Sequence, residues 1–327
     1  MTTFEWKDQL VEVLDQRSLP EKEIYHNYSN YREIAFALEE NLITGTALRT
    51  YAAAVAVSMS ASSLRSQGAQ LRDEIVAVAK YLEKVSDPAP IAKKIFSQIY
   101  AICSESDPAS IVEKLRERAI SLRSSIAASE QRISALVAEH LGENETILLC
   151  SSSGCAISSV ANGTLSGAID IALAKGKKIS AFCLESRPDF SGARIHSYDL
   201  FTKGCPTGIL PDIHHEHLFR KKIISKVLLN AEGMGADGKL LCRSGSAIIV
   251  RTAKEYGIPV ICACLDAFRD EEPLNSSLWD VEGSLYDVAV LKGIPIVPEG
   301  IKVYNFTYDI IEQAAVQVVT DEGSSRN

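Results

Sequence analysis

Near residue 145 the periodicity of this chain changes, and that change constrains the fold more than any single motif. Residues 5–141 show almost no strand signal. Residues 41–64 are rich in Ala, with small residues at helical spacing. Ser86-Asp87-Pro88-Ala89-Pro90 and Ser104-Glu105-Ser106-Asp107-Pro108 read as turn-and-cap clusters, each opening a helix, because Pro suits the first helical turn and Ser or Asp can cap it. Residues 111–141 read as one long amphipathic helix stopped at Gly142. From Thr146 onward, apolar runs at 146–150, 179–184, 226–230 and 259–264 alternate with helical stretches at 155–174, 194–201 and 246–256. Further strands are expected at 207–210 and 316–320. Short strands alternating with helices imply a parallel sheet covered on both faces. Residues 266–300, with their Gly, Pro, Asn and Ser, are expected to be mostly irregular and to wrap a sheet edge or an interface. The fold class is therefore α/β: an all-helical N-terminal domain over 1–144, then a domain with a mainly parallel sheet over 145–327. A chain of 327 residues is long enough for both.

Charge and composition remove several functions. The formal net charge is −8 and no basic stripe is evident, which argues against direct nucleic-acid binding. No apolar stretch reaches about 18 residues, so no membrane partner is expected. The N-terminus, Met1-Thr2-Thr3-Phe4-Glu5-Trp6, lacks the basic-then-apolar pattern of a signal peptide. The eight cysteines are scattered, and Cys150, Cys183, Cys262 and Cys264 lie in strand-like runs. They read as buried thiols of a cytoplasmic protein, not as a disulfide framework. Cys262-Ala263-Cys264 has the wrong spacing for a zinc knuckle. No metal or cofactor is expected.

Four constellations could carry chemistry at the carboxyl ends of the strands, where open α/β sheets bind ligands. Glu185-Ser186-Arg187-Pro188, followed at once by Asp189-Phe190-Ser191-Gly192-Ala193-Arg194, closes the run 179–184. Two arginine forks there suit a phosphate or carboxylate, while the plainer reading is a salt-bridged loop. Ser151-Ser152-Ser153-Gly154 leads from a strand into a helix, so its hydroxyls and N–H groups could hold an anion. A polar loop with a Ser cap needs no ligand, and no Gly-Lys-Ser or Gly-Lys-Thr of a nucleotide loop is present. Glu232 follows a strand and precedes Gly233, Gly235 and Gly238, which permit close backbone approach to a ligand. The plainer reading is a Gly-rich turn with a solvated Glu. Asp212-Ile213-His214-His215-Glu216-His217 invites a metal, but its spacing fits no zinc helix, and a helix start capped by Asp212 with surface histidines is the better expectation.

These segments come in the order and approximate spacing of one family. Residues 147–154, 185–194, 212–219 and 231–245 resemble methylthioribose-1-phosphate isomerase, ribose-1,5-bisphosphate isomerase and the alpha, beta and delta regulatory subunits of translation initiation factor 2B. The match runs most clearly over residues 130–323, including Gln131-Arg132-Ile133, and Glu-Ser-Arg-Pro with Gly-Ala-Arg is its most specific element. The resemblance implies a Rossmann-like second domain, a homodimer, and contacts with other subunits of the initiation factor 2B family. It also implies a phosphorylated sugar or nucleotide metabolite as ligand, held by Ser152, Ser153, Gly154, Glu185, Arg187, Arg194 and Arg243.

The isomerases of that family open a cyclic aldose 1-phosphate and move protons to give a ketose, using a Cys and an Asp as acid/base pair. Ser151 stands at the matching Cys position and Glu232 at the Asp position. An Arg-Gly-Ala phosphate element matches Thr44-Gly45-Thr46, without its arginine, and an Asn-Lys pair becomes Cys242-Arg243. A serine hydroxyl cannot replace a thiol without an activating base, and losing one positioned acid/base group costs on the order of 10²–10⁴-fold. Glu for Asp displaces the carboxylate by one methylene, and a shift of about 1 Å can cost on the order of 10²-fold. Ala231-Glu232-Gly233 also resembles the form in the alpha regulatory subunit. The expectation is a non-catalytic sugar-phosphate-binding or assembly protein related to the regulatory subunits. The alternative is a divergent aldose 1-phosphate to ketose isomerase using Glu232 with a different acid.

Overall fold

The computed structural model describes residues 2–7, 9–86, 89–150, 163–291 and 293–324. It opens with strands that the helical reading of residues 5–141 missed. β1 (Phe4–Lys7), β2 (Leu10–Leu14) and β3 (Tyr25–Tyr28) form an antiparallel sheet with Val11 opposite Tyr28 and Val13 opposite His26. Val11 and Val13 are buried, whereas Glu12 between them is not. The alternation is too short to stand out in sequence, and tertiary packing completes it: Phe4 meets the Tyr51 ring edge-on at 5.3 Å.

The helices follow their caps. α1 (Tyr31–Glu39) begins where Asn30 Oδ1 accepts the N–H groups of Arg32 and Glu33. α2 (Thr46–Ser63) buries every residue from Thr50 to Ala61, so it is a core helix with no solvent stripe. α3 (Gly68–Ser86), α4 (Pro90–Glu105) and α5 (Pro108–Glu139) pack around it. The Asp107 carboxylate accepts the Ala109 N–H at 3.1 Å and starts α5, which ends three residues short of Gly142.

The alternating pattern then delivers β4 (Asn144–Cys150), α6 (Thr164–Ala174), β5 (Lys178–Leu184), a π turn over Gly192–His196, α7 (Ser197–Thr202), β6 (Thr207–Leu210), α8 (His215–Arg220) and β7 (Lys226–Asn230). β8 (Gly233–Met234), β9 (Leu240–Arg243), α9 (Ser246–Glu255) and β10 (Val260–Ala263) follow. The stretch 266–300 is mostly irregular, as expected, with α10 (Leu285–Ala289), β11 (Val290–Leu291) and β12 (Ile294–Pro295) inside it. The chain closes with β13 (Tyr308–Ile311), β14 (Gln317–Thr320) and β15 (Gly323–Ser324). Residues 155–162 of the expected helix 155–174 lie outside the described residues.

Seven strands form one sheet in the order β15-β14-β10-β7-β4-β5-β6, parallel except for the β14–β15 hairpin. From β4 the chain winds outward through β5 and β6, then returns to the other side of β4 through β7, β10 and β14. This reversal leaves a crevice beyond the carboxyl ends of β4 and its two neighbours. A second small sheet, β13-β9-β8, stands beside it and was not expected from sequence. α5 joins the two kinds of architecture: it packs on α6, β10 and β14 as well as on α2.

Candidate functional site

The reversal in strand order opens into a cleft of about 1440 Å³ between the helices and the sheet. Thr44, Gly45 and Arg49 line its helical side, Leu184, residues 186–191 and Arg194 its sheet edge, and Cys150, Arg243 and Tyr308 its depth. Residues from the four matched segments, Cys150, Arg187, Asp212 and Arg243 among them, thus meet in one cleft.

The loop after β5 is held in an unusual backbone shape. Ser186 and Phe190 both take φ of 59°, in the left-handed region that non-glycine residues rarely enter. Asp212 fixes the first of these turns: its carboxylate accepts the backbone N–H groups of Ser186 at 2.9 Å and Arg187 at 2.6 Å. The helix-cap role expected for Asp212 is therefore incorrect, since Pro211 is the capping residue and the side chain is committed to the other loop. Asp189 accepts the Ser191 N–H at 2.8 Å and shapes the next turn. Gly192 is obligatory, because a Cβ there would lie 2.0 Å from the Leu184 carbonyl oxygen.

This scaffold presents two guanidinium groups. Arg187 and Arg194 both lie over the Phe190 ring, at 4.8 and 5.9 Å from its centre. Arg187 is exposed, and its guanidinium makes one long hydrogen bond to the Pro188 carbonyl at 3.4 Å. Among the described residues neither arginine makes an ion pair within 4 Å, unlike the salt-bridged loop of the plainer reading. Glu185, by contrast, falls outside the cleft lining although Leu184 and Ser186 on either side belong to it. Its N–H donates to the Leu210 carbonyl at 3.0 Å, which ties the start of this loop to β6.

The carboxylate loop also departs from its plainer reading. Glu232 is not solvated; it is 0% exposed. Its N–H donates to the Leu241 carbonyl at 2.7 Å, and its Oε1 pairs with Arg243 Nε at 3.3 Å. The Arg243 side chain is 27% exposed, lies over the Tyr308 ring at 5.2 Å and reaches the cleft. Gly235 and Gly238 turn β8 back onto β9 and so close the chain over the carboxylate; Gly238 has φ of 78°. Arg243 stands between Glu232 and the cleft, which places the two expected site residues in one ion pair.

Residues 151–154 lie outside the described residues. Cys150, just before them, is buried at the cleft wall with its Sγ 3.9 Å from Ser246 Oγ, and burial pushes its thiol well above the ordinary range. The seven described cysteines are all buried free thiols. His214 and His217 are exposed, while His215 is buried between the Asp212 carbonyl (Nδ1, 2.7 Å) and Thr252 Oγ1 (Nε2, 3.4 Å). Among the described residues no group of three His, Cys, Asp or Glu side chains could hold a metal.

Sequence reasoning missed Arg49. Its guanidinium donates to the carbonyls of Leu38 at 2.8 Å, Ile43 at 2.9 Å, Val85 at 3.0 Å and Ser86 at 2.7 Å. It closes the carboxyl ends of α1 and α3, and so braces the wall at Thr44-Gly45-Thr46 instead of offering its charge to a ligand. A lone arginine in an Ala-rich helix carries no sequence signal of that role.

Residues 43–326 match the model of the initiation factor 2 subunit family. The chain belongs to that family. Methylthioribose-1-phosphate isomerases are similar to it along nearly their whole length: that of Geobacter sp. strain M21 is 28% identical, covering 99% of this chain and 95% of that protein. A putative methylthioribose-1-phosphate isomerase of Methanothermobacter thermautotrophicus is 25% identical over 99% of this chain and 98% of its own. Among solved structures, the 5-methylthioribose 1-phosphate isomerase of Pyrococcus horikoshii OT3 superposes with a TM-score of 0.81 at 20% identity, covering 99% of this chain and 92% of that one. The delta subunit of initiation factor eIF-2B from A. fulgidus gives 0.78 at 22%, covering 99% and 95%. The mainly parallel sheet is thus the family's fold. No helix among the described residues is long and apolar enough to cross a membrane.

Proposed function

We propose that the protein binds a sugar phosphate in the cleft and converts an aldose 1-phosphate to a ketose as a divergent isomerase, with Glu232 moving the proton. The observation that carries this reading is the Glu232–Arg243 pair at the cleft's depth. A carboxylate is retained at the strand end matched to the isomerases, shielded from water, and reaches the cleft through one cationic partner. Exposed guanidinium groups on Phe190 support a phosphate site at the rim, and isomerase-named relatives over the whole chain length support the reaction class. The chemistry is a proton transfer between adjacent carbons of the opened sugar. The C1 atom carries the phosphate ester, so a proton goes to the ring oxygen as its bond to C1 breaks; a base removes the proton from C2, a proton is returned to C1, and loss of the C2 hydroxyl proton leaves the ketone. We propose also that residues 1–144 and 145–327 are two domains closing on this ligand, in a homodimer.

The substitution of Ser151 for a thiol sets the expected speed. Ordinary turnover of about 10 per second, reduced by the usual worth of one acid/base group, gives on the order of 10⁻³ to 10⁻¹ per second with methylthioribose 1-phosphate. Glu232→Gln should remove it, and Ser151→Cys should raise it. The second reading, a non-catalytic sugar-phosphate sensor, is favoured by the engagement of Glu232 with Arg243. Binding without turnover, in both the native chain and Ser151→Cys, would establish that reading instead.

A further inference from the structure

The two rim arginines share their neighbourhood with acids. Residues 281–308 run back across the cleft as a strap, and Ser284, Tyr286 and Asp287 line it from that side. α10 carries Asp287 into the field of Arg187 and Arg194, with Asp189 on the facing loop. The Asp287 carboxyl is half-buried, yet it makes no hydrogen bond and no ion pair within 4 Å with any described residue. Burial pushes its pKa up, Asp189 adds to this, and the two arginines pull it back. Asp189 has one oxygen engaged by the Ser191 N–H.

A carboxylate partly withdrawn from water gains from donors, and among the described residues this one has none within hydrogen-bond distance. A phosphate alone would not supply them, because it brings only acceptors and more negative charge. Hydroxyl groups on the sugar ring of a phosphate ester would. We propose that the cluster reads phosphate esters of polyhydroxylated carbon chains in two parts: Arg187 and Arg194 take the phosphate, and Asp287, aided by Asp189, accepts hydrogen bonds from hydroxyls of the sugar ring. The proposal rests on the reading of the cleft as a sugar-phosphate site and adds the residues that make the sugar portion matter. Asp287 is then a specificity residue: it rewards hydroxyls and repels a bare anion.

Those two effects have opposite signs on two simple probes. Calorimetric titration of ribose 5-phosphate and methyl phosphate, into the native chain and into Asp287→Asn, reads both. The native chain should prefer the ribose ester by at least about tenfold, the worth of one hydrogen bond to a charged group. Asp287→Asn should shrink that ratio about tenfold, weakening the ribose ester while tightening methyl phosphate two- to threefold. A ratio that stays within twofold of the native one, in both Asp287→Asn and Asp287→Ala, overturns the proposal. Arg187→Ala separates the two levels of argument. If it weakens both probes while the Asp287 variants leave the ratio alone, the proposal falls and the phosphate site stands. If it leaves both probes bound as in the native chain, the anion is held elsewhere and the proposal falls with the reading of the cleft.

Discussion

Arg243 is the residue on which the depth of the cleft turns, because it compensates a carboxylate that water cannot reach. Removing one member of a buried ion pair strands the other, which typically costs about 3–5 kcal/mol. Arg243→Ala should therefore lower the urea midpoint more than Glu232→Gln, because the first leaves a fully buried carboxylate without this cation, while the second leaves an arginine that is 27% exposed to water. Equal midpoints for the two variants would show that Glu232 is satisfied by other groups. Gly192→Ala makes a second test of the same loop. Its Cβ would sit 2.0 Å from the Leu184 carbonyl, so the loop must shift and take Arg194 with it. Loss of ribose 5-phosphate binding with retained helix and sheet signals is the expected result. At this scale the sequence was partly legible. Two arginines at the end of an apolar run do reach the cleft, and a Glu before three glycines does mark a loop out of the ordinary, with its carboxylate buried. Asp212 was misread, because a carboxylate before a helix looks like a cap whether it bonds its own helix or a loop 26 residues earlier. Asp287 gave no signal, since its meaning depends on a strap folding back across the cleft.

At the scale of elements, α5 couples helices to sheet through one acid. Asp321 follows β14, and its carboxylate accepts Ser129 Oγ at 2.6 Å and Arg132 Nη2 at 3.1 Å from α5, together with the Asp266 N–H at 2.9 Å. Burial alone would raise its pKa, but these hydrogen bonds outweigh it and hold the carboxyl below its usual value. A depressed folded pKa stabilises above the unfolded value, 3.8, and that contribution is lost as pH falls through the folded pKa. Acid unfolding of the native chain should begin below about pH 4, and Asp321→Asn should flatten the pH dependence there while lowering stability at neutral pH. An unchanged acid limb in that variant would detach Asp321 from the coupling. The elements themselves were readable wherever the pattern was long: α5 from its capping Asp107 and apolar stripe, β5 and β7 from uninterrupted apolar runs. β1 to β3 were not, because four or five residues of alternation are indistinguishable from chance until Phe4 finds Tyr51. β9 was hidden because Leu240, Leu241 and Cys242 are apolar on both faces, packed in a second sheet that local periodicity cannot place.

At the scale of the whole molecule, the strap poses the remaining question, because it lines the cleft and also leaves large apolar side chains open to water, Tyr286, Leu291 and Phe306 at the cleft itself and the others away from it. Tyr286 is 68% exposed and Ile294 66%, and Trp279, Leu285, Leu291, Ile296, Tyr304 and Phe306 are also open. Isolated exposed apolar residues are ordinary, but nine large ones within residues 279–306, Ile301 included, exceed what a monomer usually leaves to water. Tyr and Trp are the side chains enriched at interface centres, and a closed two-fold contact is the commonest way for a chain to cover such a face. The homodimer expected from the family resemblance would then use this surface, and the strap would be held by the partner on one side and by ligand on the other. Light scattering at micromolar concentration should give twice the monomer mass of 35.6 kDa. Tyr286→Ala with Ile294→Ala should shift that toward the monomer and, because the strap carries Asp287, weaken ribose 5-phosphate binding in parallel. The native chain running as a monomer would remove the dimer altogether. A dimer that withstands both substitutions would keep the assembly and move its contact elsewhere. Dissociation with unchanged sugar-phosphate affinity would separate the strap's two faces, leaving the cleft complete within one chain.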